Sequence, residues 1–148
     1  MECRNALIET EGDLDKASKI LQARGLAKAE KKVGRVASQG LIEAYVHPGG
    51  RLGALVELNC ETDFVARTDE FKELAHNLVL QIAATAPQFI SADEIPEDNE
   101  LDPTVVCLLG QPFIKDQTKT IEDIIIEVIA KVGEKIGVGR FERFELGK

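Results

Sequence analysis

Apolar residues recur along this chain in two rhythms, and the switches between them predict its elements. Residues Glu2 to Thr10 are compatible with a short helix, which Glu11-Gly12-Asp13 stops while supplying an N-cap for the next one. Leu14, Ala17 and Leu21 then fall at helical spacing, and Gly25 ends the run. A helical pair of this size cannot bury its own apolar stripe, so it must lean on a further helix, on the main domain or on a partner. From Gly40 the period drops to two. Ile42, Ala44 and Val46 share one strand face, and Leu52, Ala54, Val56, Leu58 and Cys60 share one face of the next strand. Between them His47-Pro48-Gly49-Gly50 supplies turn chemistry, which predicts a β-hairpin.

Thr68 is placed to cap a helix whose Phe71, Leu74, Ala75, Leu78, Val79 and Ile82 form one apolar stripe, with Pro87 just beyond its end. Six acidic groups and a proline between Ser91 and Asp102 predict an exposed link. Val105 to Leu109 is a continuous apolar run, short enough for a strand buried on both faces. Thr120 caps a second amphipathic helix carrying Ile121, Ile124, Ile125, Val128, Ile129 and Val132, and Gly133 marks its end. In the tail from Val138 to Leu146, Phe141 and Phe144 would fall on opposite faces of a regular strand, which implies a bulge or a two-sided setting. The expected class is α+β: an antiparallel sheet with helices packed on one face, preceded by a small helical N-terminal segment. Residues 1–35 are assigned to that helical module and its linker, and residues 36–148 to the core domain, with the acidic link at 91–103.

With 148 residues, 44% of them hydrophobic, the chain can bury one sizeable core. Its net charge of -8 argues against general nucleic-acid binding, which depends on clustered Lys and Arg. The charge is uneven: residues 1–35 hold eight basic and six acidic groups, leaving ten basic and twenty acidic groups for the rest, so all of the acidic excess lies beyond them. Lys28, Lys31, Lys32 and Arg35 read as a solvated helix face before they read as an RNA contact. No apolar run is long enough to span a bilayer, and Met1 is followed at once by Glu2 and Cys3, so neither a membrane segment nor a signal peptide is expected. Cys3, Cys60 and Cys107 form no CxxC pair, which favours a reducing compartment, cytoplasm or organelle matrix, over a disulfide framework or a zinc site.

No catalytic constellation stands out, and no cofactor or metal is expected. His47 sits in the turn and His76 on a helix, neither with a carboxylate at metal-ligand spacing, and both read as structural. Cys60 and Cys107 lie in apolar patterns that suit core cysteines better than nucleophiles. The segment Asn59-Cys60-Glu61-Thr62-Asp63-Phe64-Val65-Ala66-Arg67 is different. It joins a strand end to a helix start, and Phe64 has no periodic partner in either element. Phe64 is either a buried staple against the following helix or an aromatic presented to a partner.

That segment resembles the NC-x-TDFVA signature of the elongation factor Ts family, and the likeness extends over nearly the whole chain. Cys3-Arg4-Asn5-Ala6-Leu7 through Glu11-Gly12-Asp13 is similar to the family's UBA-like N-terminal module, Lys28 to Val33 to its linker, and Leu108 to Phe113 with Ile136 to Gly147 to its C-terminal signatures. The resemblance implies a dimerisation-type core domain and a factor that binds elongation factor Tu loaded with GDP and promotes GDP release by displacing Mg²⁺. It assigns the contact to Thr62, Asp63, Phe64 and Val65, with Phe64 wedged into the GTPase and Asp63 touching a helix there. The chain also departs from the family pattern. The first of three N-terminal helices is missing, as is a helical stretch before the LL-x-QPF strand, and Gly139 stands where a second arginine is common. There is one hairpin-plus-helix unit, and such a single lobe leaves surface for self-association into a homo-oligomer. The competing reading is a non-catalytic interaction or dimerisation module with another partner.

Overall fold

The alternation after Gly40 becomes a hairpin, β1 (Gln39–Val46) with β2 (Leu52–Cys60), closed through the His47 amide on the Leu52 carbonyl at 2.8 Å. The computed structural model describes residues 14–32 and 34–148. The helix expected over Glu2–Thr10, its Glu11-Gly12-Asp13 stop and Cys3 lie outside the described residues, so the UBA-like character of the N-terminal segment rests on sequence alone.

The helix α1 (Leu14–Lys31) continues through Gly25, which the sequence reading took as its end. The cause is packing. Gly25 is buried against a later helix, and a β-carbon built there would sit 3.5 Å from Ile126 Cγ2 and 3.7 Å from Ala130 Cβ. Here glycine serves close approach of two helices, and tertiary contact outweighs its weak helix propensity.

After β2 a single turn, α2 (Asp63–Ala66), leads into α3 (Asp69–Thr85). Thr68 caps α3 by accepting from the Phe71 amide at 3.3 Å, and Phe71, Leu74, Ala75, Leu78, Val79 and Ile82 are all buried. Ala86 ends the helix in the left-handed conformation, at φ 50°, and Arg143 Nε donates to the Ala83 carbonyl left open there.

The apolar run 105–109 is not a strand. Asp102 accepts from the Thr104 amide and Pro103 occupies the first helical turn, so the chain winds into the short helix α4 (Pro103–Val106). A lone parallel bridge, Phe89 with Cys107, and a 3₁₀ turn over Leu108–Gly110 follow. The strands of this region are instead β3 (Pro112–Phe113) and β4 (Asp116–Thr120), a small antiparallel pair with no counterpart in the expected order. Gln81, fully buried on α3, holds that region in place. It donates to Gln111 Oε1 and the Pro112 carbonyl and accepts from the Ile114 amide, at 2.9–3.1 Å.

Thr120 and Asp123 form a reciprocal capping box for α5 (Ile121–Val132), which ends at Gly133 with φ 74°. β5 (Gly137–Glu145) then pairs antiparallel with β2, giving the order β1-β2-β5. The register slips between Glu57 and Leu58, which pair with Arg140 and Val138, so Gly139 is the bulge; Phe141 then faces in and Phe144 out.

The sheet covers its core with one face. Ala54, Val56, Leu58 and Cys60 of β2 are buried, and their pairing turns Leu41, Glu43 and Tyr45 of β1 inward. Ile42, Ala44 and Val46 are consequently exposed on the other face, beside Leu55 and Phe144. Helix α3 crosses the inner face, and α5 packs on α3 and α1, an α+β arrangement with a small antiparallel sheet.

Candidate partner-binding turn

The turn at 62–65 is made by the end of one element and the start of another. β2 delivers Cys60 to the core, where its thiol donates to the Thr62 carbonyl at 3.0 Å. Burial first, and then the Glu134 carboxylate, push that thiol up from its ordinary value, so it is held neutral and unsuited to nucleophilic work. Thr62 stays extended, at φ -127° and ψ 155°, and caps α2 by accepting from the Val65 amide at 3.4 Å. The following Thr68 hydroxyl closes the far side on the Val65 carbonyl at 2.7 Å.

One turn of helix sorts four neighbours into opposite environments. Val65 and Ala66 point inward and are buried, while Asp63 and Phe64 point out. Phe64 is 77% exposed, which excludes the staple against α3. Asp63 forms an exposed ion pair with Arg67, four residues on, at 3.0 Å. Of the segment Thr62–Val65, two side chains are therefore presented, Thr62 forms the base, and Val65 is the anchor. Phe64 thus stands between exposed Asp63 and buried Val65, and at 77% exposure its ring contributes little to this chain's own packing.

The other candidates from the sequence each have a neighbour within the fold or lie in its core. His47 Nδ1 lies 2.8 Å from the Tyr45 hydroxyl, and His76 Nδ1 lies 4.0 Å from Glu43 Oε1. Cys107 is buried with its thiol also pushed up by burial. Among the described residues no group of His, Cys, Asp and Glu is arranged to hold a metal ion, and no helix is long and apolar enough to cross a membrane.

The family model described as elongation factor TS matches residues 25–101, which include the turn. The elongation factor Ts of Moorella thermoacetica is 45% identical across the whole chain, which covers 88% of that relative. That of Coprothermobacter proteolyticus is 48% identical, with 90% of it covered, and that of Carboxydothermus hydrogenoformans 45%, with 82% covered. The chain belongs to the elongation factor Ts family. It is thus a translation elongation factor. The alignment with the Moorella elongation factor Ts runs over 178 positions against the 148 of this chain, so this family member lacks internal positions that its relative has.

The residues that support the turn are not visible in the sequence pattern. Glu134 accepts from the Thr62 amide at 2.9 Å and from its hydroxyl at 2.6 Å. Glu61 accepts from the Lys135 amide at 2.8 Å and pairs with Arg35 at 3.5 Å, and Lys135 Nζ donates to the Arg35 carbonyl at 3.0 Å. These groups lie up to 100 positions apart. The only local hint was a charged Glu-Lys pair straight after a helix-ending glycine, a pattern too common to read.

Proposed function

We propose that this chain binds elongation factor Tu loaded with GDP and speeds GDP release by dislodging the nucleotide's Mg²⁺, with the Thr62–Val65 turn as the acting part. The observation that carries the reading is Phe64, an aromatic ring 77% exposed on a turn whose neighbours Val65 and Ala66 are buried. A ring so placed gains by entering an apolar slot on a partner, and Asp63 beside it adds charge that sets encounter and register. No bond is made or broken by this chain. It acts by binding the nucleotide-free state of the GTPase better than the GDP-bound state, and linkage requires that GDP weaken its own binding by the same factor. The place of action is where that GTPase works, the cytoplasm or an organelle matrix.

The decisive experiment follows release of a fluorescent GDP analogue from elongation factor Tu in Mg²⁺ buffer, with excess unlabelled GDP. Release should accelerate with increasing concentration of this chain and saturate. A rate equal to spontaneous release at every concentration refutes the exchange reading and leaves the non-catalytic interaction module in its place.

A second copy of the chain is a further proposed partner. Ile42, Val46, Leu55 and Phe144 are exposed on one side of the sheet, and β1 is an open edge. An apolar sheet face of this kind is relieved by isologous packing against its own copy. Sedimentation should show a dimer that Phe144→Glu dissociates. A strict monomer at high micromolar concentration refutes it.

A further inference from the structure

We propose that Glu134 is a positioning residue for the 62–65 turn, an inference that rests on the exchange reading and specifies how the turn is held ready. The helix α2 is too short to hold itself. Of its closing backbone contacts, the Ala66 amide on the Thr62 carbonyl and the Arg67 amide on the Phe64 carbonyl are long, at 3.4 and 3.3 Å, and the Thr68 amide on the Val65 carbonyl, at 3.0 Å, closes the far end without touching Thr62. The order of Thr62 comes from elsewhere.

Glu134 sits directly after Gly133, whose left-handed conformation ends α5 and redirects the chain. Its two carboxylate oxygens divide their work on one residue: Oε1 accepts the Thr62 amide and Oε2 the Thr62 hydroxyl. A hydroxyl has one proton. Once that proton is committed to Glu134, the oxygen faces the Val65 amide with lone pairs only, so the same contact that fixes Thr62 also sets the cap of α2. A reciprocal contact runs the opposite way, from the Lys135 amide to the Glu61 carboxylate. Two carboxylates thus cross between the end of β2 and the end of α5, on either side of one junction.

The consequence for function is preorganisation. With Thr62 held, Phe64 projects in one geometry before any partner arrives, and less ordering remains to be done in the complex. Without Glu134, the Thr62 amide and hydroxyl turn to water and the ring samples several directions.

The test uses the full chain as wild type, Glu134→Ala, Glu134→Gln, Thr62→Val, Phe64→Ala and the Glu134→Ala/Phe64→Ala double variant. Two quantities are read: amide hydrogen exchange at Val65 and Ala66 against that of α3, and the maximal rate of GDP release from elongation factor Tu at saturating factor. In Glu134→Ala, protection at the turn should fall roughly tenfold while α3 is unchanged, and maximal release should fall by about the same factor, the scale of one charge-assisted hydrogen bond. Glu134→Gln keeps one acceptor oxygen and should recover part of both. In the Phe64→Ala background the same change should cost less than about twofold, because the clamp acts through the ring.

Unchanged protection at the turn in Glu134→Ala overturns the clamp. Lost protection with unchanged release overturns its part in exchange, and an undiminished loss in the Phe64→Ala background shows a general structural role instead. If Glu134→Ala does not fold, Glu134→Gln weakens the clamp, leaves the Thr62 cap untouched and carries the same comparisons; Thr62→Val removes both the hydroxyl arm and the acceptor for the Val65 amide, so its loss of protection should be at least as large. A wild-type chain that does not speed release overturns the exchange reading itself, and is distinguished from failure of the clamp because turn protection would still fall in Glu134→Ala.

Discussion

Truncating Phe64 to alanine separates a partner-binding ring from a structural one. Phe64 is 77% exposed, so less than a quarter of its surface is covered by its own chain. For an aromatic side chain of about 200 Å² that leaves roughly 50 Å² buried, or about 1 kcal/mol of folding stability. The melting temperature should therefore fall by only about 2–4 °C for a domain of this size, whereas a core Phe→Ala change costs about 3–5 kcal/mol. On the partner the ring is expected to act as an anchor. Loss of such an anchor costs about 2–4 kcal/mol, so GDP release from elongation factor Tu at fixed, sub-saturating factor should slow roughly 30-fold or more. Asp63→Ala should slow it less, since Asp63 is an exposed charge already paired with Arg67. The assay is stopped-flow release of fluorescent GDP, run beside thermal melts of each variant. A variant that melts far below wild type while its folded fraction releases GDP at the normal rate would falsify the assignment.

Three further outcomes follow from the packing. Gly25→Ala places a methyl at ordinary contact distance from Ile126 and Ala130, so it should strengthen α1 by about 0.5–1 kcal/mol, whereas Gly25→Leu should lift α1 from α5; hydrogen exchange within α1 reads both, and equal protection in the two variants would contradict the helix contact. Gln81→Leu leaves the Ile114 amide and the Pro112 carbonyl without their Gln81 partner and should destabilise by roughly 2–4 kcal/mol in urea unfolding, and a neutral result would refute the bracing role. Burial raises the thiols of Cys60 and Cys107 above their ordinary value of 9.0, so the folded state keeps those protons longer than the unfolded state. The stability they contribute is complete below about pH 9 and is lost as pH rises through the folded values. Melts across that range should show a smaller alkaline loss in the Cys60→Ala/Cys107→Ala variant than in wild type, and an equal loss would show that the thiols are not its source.

The parts of this protein that could be read without a structure are those governed by neighbours in sequence. The hairpin over 39–60, the caps at Thr68 and Thr120, and the apolar stripes of α3 and α5 follow from strand alternation, helical periodicity and side chains that bond to amides three residues away. The motif around Phe64 was legible for the same reason, being one uninterrupted string of residues. What depended on remote neighbours was not legible. Gly25 looked like a helix end because the helix against which it packs lies about a hundred positions later. Val105–Leu109 looked like a strand because its apolar run reveals burial and not geometry, which Asp102 and Pro103 decide. Tertiary pairing with β2 settled which face of β1 lies inward, leaving Ile42, Ala44 and Val46 in the open. Above all, the string 62–65 did not reveal that Val65 anchors while Phe64 projects, or that Glu134 holds Thr62. Hydrogen bonds between residues 72 positions apart leave no periodicity along the chain, and only folding brings their donors and acceptors within reach.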